Sequence, residues 1–420
     1  MKKLLELGNF YVSNFVKETP ENLGKYSLDV ILDEELQCPR LREVAPMDDM
    51  YGQYWYRSGI NESMRKQLKE ITEEITGRIK YKKNDIWLDI ACNDGTMFDF
   101  IPNDFVKIGI DPADNTFLEI ASKKAIIVQD FFSKRCYDLA IENQRFFSLE
   151  NKVTAVEPFQ KAKVITVIAM FYDLDNPYSF LDDINEVLDD DGLLVMQMSY
   201  TPLMLEQLAF DNICHEHVYY YNLNALSTLL SKKDLKVVDC SINDTNGGSF
   251  RIYIQKEKAN IKSFGTAPLR DVCNYRVDSI LSIEDNIDFY GIEPNWKMFA
   301  HNLNNLKIQT TEFIKEEKAK GKTIYGYGAS TKGNTLLQYF NLDSSLITAI
   351  AERSPAKFGL KTVGANIPII SEEEMRKANP DYLLILPWHF IDVFVEREKE
   401  LLENGCKFIV PCPKFEIIEK

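Results

Sequence analysis

The residues best suited to chemistry in this chain crowd into one run, "DNICHEHVYYYN", residues 211–222. It holds two of the only four histidines in 420 residues, His215 and His217, on either side of Glu216 and ahead of three tyrosines. An imidazole ordinarily titrates near neutrality, so a histidine with a carboxylate neighbour is a candidate general base. Such a base takes a proton from carbon beside a ketone and leaves an enolate, a carbon nucleophile. It would equally assist a hydroxyl, so the acceptor atom stays open. A metal reading fits less well. Zinc ligands on a helix take the H-E-x-x-H spacing that puts both rings on one face, and positions i and i+2 diverge. On an extended segment they share a face, but no third ligand is evident, and no metal is expected. A buried loop whose rings satisfy backbone groups is the plain alternative.

The run needs a scaffold, and the sequence supplies one. "NDIWLDIACNDGTMFDFI" reads as a buried strand, a tight turn and a helix start. "VKIGID", "AIIVQD", "AKVITVIAMF" and "GLLVMQMSY" follow as further strands between helical or loop segments, which predicts an α/β domain with a parallel sheet. In such sheets the ligand lies beyond the carboxyl ends of the strands, near the first one. There "LDIACNDGT" offers Asp89, Ala91, Asn93 and Gly95, and Asp111 ends the next strand 22 residues after Asp89, placed for ribose hydroxyls. Asp130 closes the third strand as a candidate for the adenine end, and Met170 closes the fourth. A dinucleotide needs G-x-G-x-x-G so that its pyrophosphate can approach a helix N-terminus. The single glycine of "DIACNDG" and its acidic neighbours suit a cationic ligand without phosphates, S-adenosylmethionine. The ending agrees: a helix, "NLNALSTLLSKKD", precedes two strands joined through "NDTNGG", as in a methyltransferase sheet. The histidine run lies between the fifth strand and that helix, over the cofactor's reactive end.

A single core stops growing near roughly 250–300 residues, so two large domains are expected. After 260 a helical connector runs to about 320. "TIYGYGASTKGNTLLQYF" then opens a second strand, glycine turn and helix, continued by "SLITAIAER", "IPII", "DYLLILPW" and "CKFIVPCP". The reading is a small N-terminal element over 1–65, a methyltransferase domain over 66–260, a connector over 261–320 and a Rossmann-like domain over 321–420. With 45% hydrophobic and 27% charged residues the composition is globular, and no apolar run approaches the ~20 residues of a membrane helix. A net charge of −15 argues against a sequence-independent grip on nucleic acid. Eight scattered cysteines without a CxxC pair suit reduced thiols. "MKKLLELGNFYVSNF" lacks a signal peptide's apolar core, so a cytoplasmic protein is expected, as a monomer or weak homodimer.

Taken in order, "ELGNFYVSNF", "YWYRSGINESMR", "LDIACNDGT", "MFYDLDNP", "FDNICHEHVYYY", "NGGSFRIYI", "YGYGASTKGNTLLQY", "IPII" and "DYLLILPW" resemble the three-domain sugar C-methyltransferases along nearly the whole chain. The resemblance implies S-adenosylmethionine-dependent methylation of a carbon in a nucleotide-linked 4-keto-deoxysugar. It implies His217 as base with Glu216 beside it as orienter or proton partner, and Tyr56 or Tyr54 lining the site. It also implies a C-terminal domain that helps hold the sugar nucleotide, through Gly328, Ser330 and Lys332. Asn246, Ser249 and Arg251 of "NGGSFR" are candidates for sugar or phosphate contacts, or simply a hairpin turn. His215 is a substrate-side candidate or a structural residue.

There are departures. The family's four-cysteine N-terminal zinc module is reduced to Cys38, so no zinc is expected. Cys214 stands where antibiotic-pathway members mostly bear tyrosine, and a histidine after the fourth strand gives way to Tyr172 and Asp173 nearby. Rival readings are an O-methyltransferase, an NAD-dependent oxidoreductase using "GYGAS", and a binding protein without catalysis.

Overall fold

A computed structural model describes residues 2–20, 23–46, 49–50, 55, 57–151, 160–287 and 291–420. The chain begins in short antiparallel pieces: β1 (Lys3–Leu5), β2 (Asn9–Tyr11), β3 (Phe15–Val16), β4 (Lys25–Ser27), β5 (Val30–Asp33) and β6 (Cys38–Leu41). β5 lies between β1 and β6, and β2 pairs with β4. Two to four residues per strand bury too little to stand alone. Instead Leu4, Leu5, Phe15, Val30 and Leu41 share one buried cluster with residues from the far end of the chain, such as Trp296, Leu336 and Leu384.

α1 (Glu62–Arg78) follows; Asn61 caps it by accepting from Ser63 N, and Met64, Leu68, Ile71 and Ile75 recur at helical spacing on its buried face. Next come β7 (Ile86–Ile90), β8 (Val106–Ile110), α2 (Asn115–Ala121), β9 (Ile126–Val128), α3 (Lys134–Asn151), β10 (Ala162–Ile168), α4 (Pro177–Val187) and β11 (Leu188–Ser199). After α5 (Thr201–Glu206) and the loop carrying both histidines come α6 (Leu223–Ser231), β12 (Leu235–Asn243) and β13 (Ser249–Lys256). One seven-stranded sheet results, ordered β12-β13-β11-β10-β7-β8-β9. β13 runs antiparallel to β11 and to β12, while β11, β10, β7, β8 and β9 are parallel. The crossover between β7 and β10 makes the switch point at which such sheets bind ligands.

α7 (Ala267–Ile287) and α8 (Ile292–Ala319) fill the expected connector. They belong to different cores. Arg276 of α7 pairs with the fully buried Asp239 of β12, and Ile280 joins the core of the seven-stranded sheet. Trp296, Phe299, Leu303 and Leu306 of α8 recur on one face that packs into the C-terminal core. There β14 (Ile324–Tyr327), α9 (Thr331–Phe340), β15 (Ile350–Glu352), β16 (Lys361–Thr362), β17 (Ile369–Ser371), α10 (Glu372–Ala378), β18 (Tyr382–Ile385), α11 (Ile391–Arg397), α12 (Lys399–Glu403), β19 (Lys407–Val410) and β20 (Glu416–Ile418) build a second doubly wound unit. Its six-stranded sheet runs β17-β15-β14-β18-β19-β20, parallel except for β20. β16 pairs with β3, tying the N-terminus to this unit.

Phe210, in the loop after α5, stacks on Phe340 at the end of α9, with 5.3 Å between ring centroids. Both rings are fully buried. Phe340→Ala is therefore expected to cost about 3–5 kcal/mol. Urea denaturation measures this, and a loss below about 1 kcal/mol would show that the loop does not depend on this joint.

Candidate active site

The ligand end of the first sheet is built by strain-bearing turns. β7 delivers Asp89, and the chain then passes through left-handed conformations at Ala91, Asn93 and Gly95, with φ of 58°, 53° and 68°. At Gly95 a side chain is excluded on two counts, since a Cβ would also lie 2.9 Å from Ala121 Cα. The turn is locked from β8: Asp111 accepts Asn93 N at 2.8 Å and Ala113 N at 2.7 Å, one on each oxygen. The chain before α1 closes over it, Ser58 N donating to Asn93 Oδ1 and Gly59 N to Asp94 Oδ2.

Asp89 accepts the Thr166 hydroxyl at 2.6 Å. Burial pushes its pKa up to about 7; the Thr166 bond opposes the rise and repulsion from Asp111 adds to it. Burial likewise raises Asp111. Two buried carboxyls short of a counter-charge at a strand switch point fit a ligand bearing ammonium and sulfonium groups, as S-adenosylmethionine does. Asp130 is exposed beyond β9 and takes Phe131 N, and Met170 is half-buried after β10.

The histidine loop sits above the same strand ends. His217 is 9% exposed and its Nδ1 lies 2.8 Å from the carbonyl oxygen of Asn212. A carbonyl only accepts, so Nδ1 carries the proton and Nε2 presents its lone pair. The Tyr172 ring packs 4.2 Å from the imidazole, centroid to centroid. Burial, then the Lys332 ammonium, drive the His217 pKa down to about 3, far below the near-neutral base expected from sequence; the Asn212 carbonyl opposes them. The ring is neutral throughout the physiological range.

Around it lie acidic groups with unmet bonding capacity: Oδ1 of Asp173, Oδ1 of Asp211 and Oε2 of Glu216 are buried without a hydrogen-bond partner among the described residues. Burial raises all three pKa values, and Asp173 and Glu216 repel each other. The opposing positive charge is Lys332, whose Nζ donates to Asn212 Oδ1 across the junction of the two units.

The other expected residues divide. His215 turns the opposite way to His217; its Nε2 meets Tyr26 O at 3.1 Å, and burial lowers its pKa. Gly328 takes φ 81° where a Cβ would strike Pro387, and Ser330 caps α9 by accepting Gly333 N. Ser249 donates to Thr245 O within the hairpin. Arg251 is not free to reach a phosphate. It is 5% exposed, Nε donates to Gln197 at 2.9 Å and Nη1 pairs with Glu74 of α1 at 2.9 Å, so it braces the sheet against that helix. Tyr54, Tyr56 and the Asn246 side chain lie outside the described residues. Sequence reasoning left out Asn212, which lies in the opening run but carries neither an ionisable nor a nucleophilic group, and did not count Asp173 among the site residues. Among the described residues no group of three or more His, Cys, Asp or Glu could hold a metal ion, and no helix is long and apolar enough to cross a membrane.

Residues 244–413 match the family model described as "C-methyltransferase C-terminal domain", and residues 60–239 match "Methyltransferase domain". The C-methyltransferase NovU of Streptomyces niveus is 26% identical over 396 residues, 94% of this chain and 88% of that protein. Among solved structures, a SAM-dependent methyltransferase of Leishmania major overlays with a TM-score of 0.34 at 10% identity, over 47% of this chain and 75% of its own. Magnesium protoporphyrin IX methyltransferase of Synechocystis, with bound SAM, overlays at 0.31 and 7% identity, over 46% and 79%. The fold itself rests on the strand orders given above.

A cation bound beside Asp89 favours its ionised form, so binding releases a proton and tightens as pH rises toward and past 7. Between about pH 6 and 8 the affinity for S-adenosylmethionine is expected to rise by up to about tenfold. Titration calorimetry in buffers of different ionisation enthalpy measures the release. Asp89→Asn should bind more weakly and lose the pH dependence, whereas a pH-independent wild type would refute this role.

Proposed function

Since the chain belongs to the S-adenosylmethionine-dependent C-methyltransferases, we propose that it methylates a carbon of a nucleotide-linked keto sugar, with His217 as the general base. The observation that carries this reading is the hydrogen bond of His217 Nδ1 to the Asn212 carbonyl, which fixes the tautomer and leaves the lone pair on Nε2. That lone pair takes the proton from carbon beside the ketone. The C–H pair becomes the carbon–carbon π bond of the enolate, and the carbonyl π pair moves to oxygen. An imidazole of such low proton affinity is a weak base by itself. Negative charge arriving on the substrate oxygen raises that affinity, and the raised carboxyl of Asp173 is suited to receive the charge.

The cofactor, when bound, supplies an electrophilic methyl group on sulfonium sulfur. Asp89, Ala91, Asn93, Gly95 and Asp111 would hold it, with Met170 and Asp130 at the margins; the two buried carboxyls fit its positive charge. Glu216 beside His217 is the proton partner in this reading, and Tyr54 and Tyr56 complete the site from the N-terminal segment.

The nucleotide portion is supported by a cavity of about 330 Å³ between the two units, lined by Gln207, Asp244 and Gly247 on one side and Trp388, His389 and Lys414 on the other. It opens at the carboxyl ends of β18 and β19, the ligand end of a doubly wound sheet. An aromatic wall with a lysine suits a base and a phosphate.

Incubation with a panel of nucleotide-linked 4-keto sugars in deuterated water, without methyl donor, tests the base. Exchange of the proton beside the ketone is expected in the wild type, and His217→Gln should slow it by about 10²–10⁴. With labelled donor the new methyl should appear on carbon. An ether methyl without prior exchange would overturn the proposal in favour of O-methylation.

A further inference from the structure

The first helical turn of the C-terminal unit meets the histidine loop. In a doubly wound domain the N-terminus of the helix after the first strand is where an anionic ligand sits. Here that helix is α9, and its first turn meets the turn Phe210–Asn212 of the histidine loop. Phe210 stacks on Phe340 of the same helix and packs 5.5 Å from Tyr339. Ser330 Oγ is already taken by Gly333 N. What remains is the side chain of Lys332, and it ends on Asn212.

Each polar atom of Asn212 has a partner. Its Oδ1 accepts from Lys332 Nζ and from Ser199 Oγ, its Nδ2 donates to Ala209 O at 3.2 Å, and its carbonyl accepts His217 Nδ1 at 2.8 Å. One residue therefore joins an ammonium from one unit to the imidazole that stands over the ligand end of the other. We propose that Lys332 is a positioning residue for the reaction, acting through Asn212 on His217, so that the base is complete only when the C-terminal unit is docked. This inference rests on the reading of His217 as base, and it assigns Lys332 to the imidazole in place of a phosphate.

Charge adds a second route for the same residue. The groups that face Lys332 are His217, Asp211, Cys214 and Glu216 from the loop, Asp173 from the turn after β10, and His389 from the turn after β18. An ammonium in this cluster disfavours a second positive charge on either imidazole and favours ionised carboxyls. Removing it therefore raises the pH at which His217 becomes protonated.

The test is the donor-free exchange of a nucleotide-linked 4-keto sugar in deuterated water, followed against pH for wild type, Lys332→Met, Lys332→Gln, Lys332→Arg and His217→Gln. Lys332→Met is expected to lower kcat for exchange by about tenfold to a hundredfold, the order that slight misplacement of a catalytic group costs. KM should change little, and the acid limb should move to higher pH. Lys332→Gln retains a donor for Asn212 but no charge; it should recover part of kcat and keep the displaced limb. Lys332→Arg should recover most of kcat with the limb near its wild-type position. If Lys332→Met fails to fold by thermal melting, the other two variants still decide. A raised KM with unchanged kcat and an unmoved limb would make Lys332 a phosphate ligand and overturn the proposal. Unimpaired exchange by His217→Gln would instead overturn the base reading on which it rests.

Discussion

A backbone carbonyl accepts hydrogen bonds and never donates them, and the site depends on that asymmetry at Asn212. Because its oxygen takes Nδ1 of His217, the imidazole has one tautomer and one orientation, with the lone pair on Nε2. A loop carbonyl holds such a contact only if the loop is itself held. Phe210 locks it against Phe340 and Tyr339, Ser199 at the end of β11 reaches the Asn212 amide, and Lys332 closes the contact from the other side. The ring is therefore oriented by two separate sheets, one supplying Ser199 and the other carrying α9.

This explains why the small N-terminal strands and α8 pack where they do. Strands of two to four residues have no core of their own, so Leu4, Phe15 and Val30 bury themselves with Trp296, Phe299 and Leu384. The same cluster takes in Phe210, Ile213 and Tyr220 of the histidine loop. The loop is thus chemically part of the first unit's ligand end and energetically part of the second unit's core. Separating the units would expose those apolar side chains, at about 25 cal/mol for each Å² of apolar surface.

Electrostatics follow from the same burial. Partnerless oxygens on Asp173, Asp211 and Glu216 would be costly if all three were ionised with no counter-charge. Lys332 offsets part of that cost, and proton uptake by the carboxyls offsets more, in line with their raised pKa values. Burial, and then the Lys332 ammonium, keep the imidazole inside this cluster uncharged, hence its low value of about 3. At the cofactor end the logic inverts. Among the described residues no cation acts on Asp89 or Asp111 as Lys332 does on the histidine loop, and a cationic ligand suits that pocket.

Patterns confined to neighbours in the chain were readable from sequence. Strand–turn–helix alternation showed both doubly wound sheets, the helix and hairpin after β11 pointed to a methyltransferase sheet, and the single glycine of "DIACNDG" favoured a ligand without phosphates. The run of His215, Glu216 and His217 marked the site, although their adjacency concealed that His215 points away to Tyr26. Contacts between distant parts of the chain were decided only by tertiary structure. Arg251 looked available until folding set Glu74 and Gln197 against it, and nothing near Lys332 in the sequence announced its contact with Asn212, 120 residues earlier. The reason is physical: hydrophobic periodicity and turn chemistry act over a few residues, whereas the partner of a buried charge is whatever the packing of two sheets brings within bonding distance.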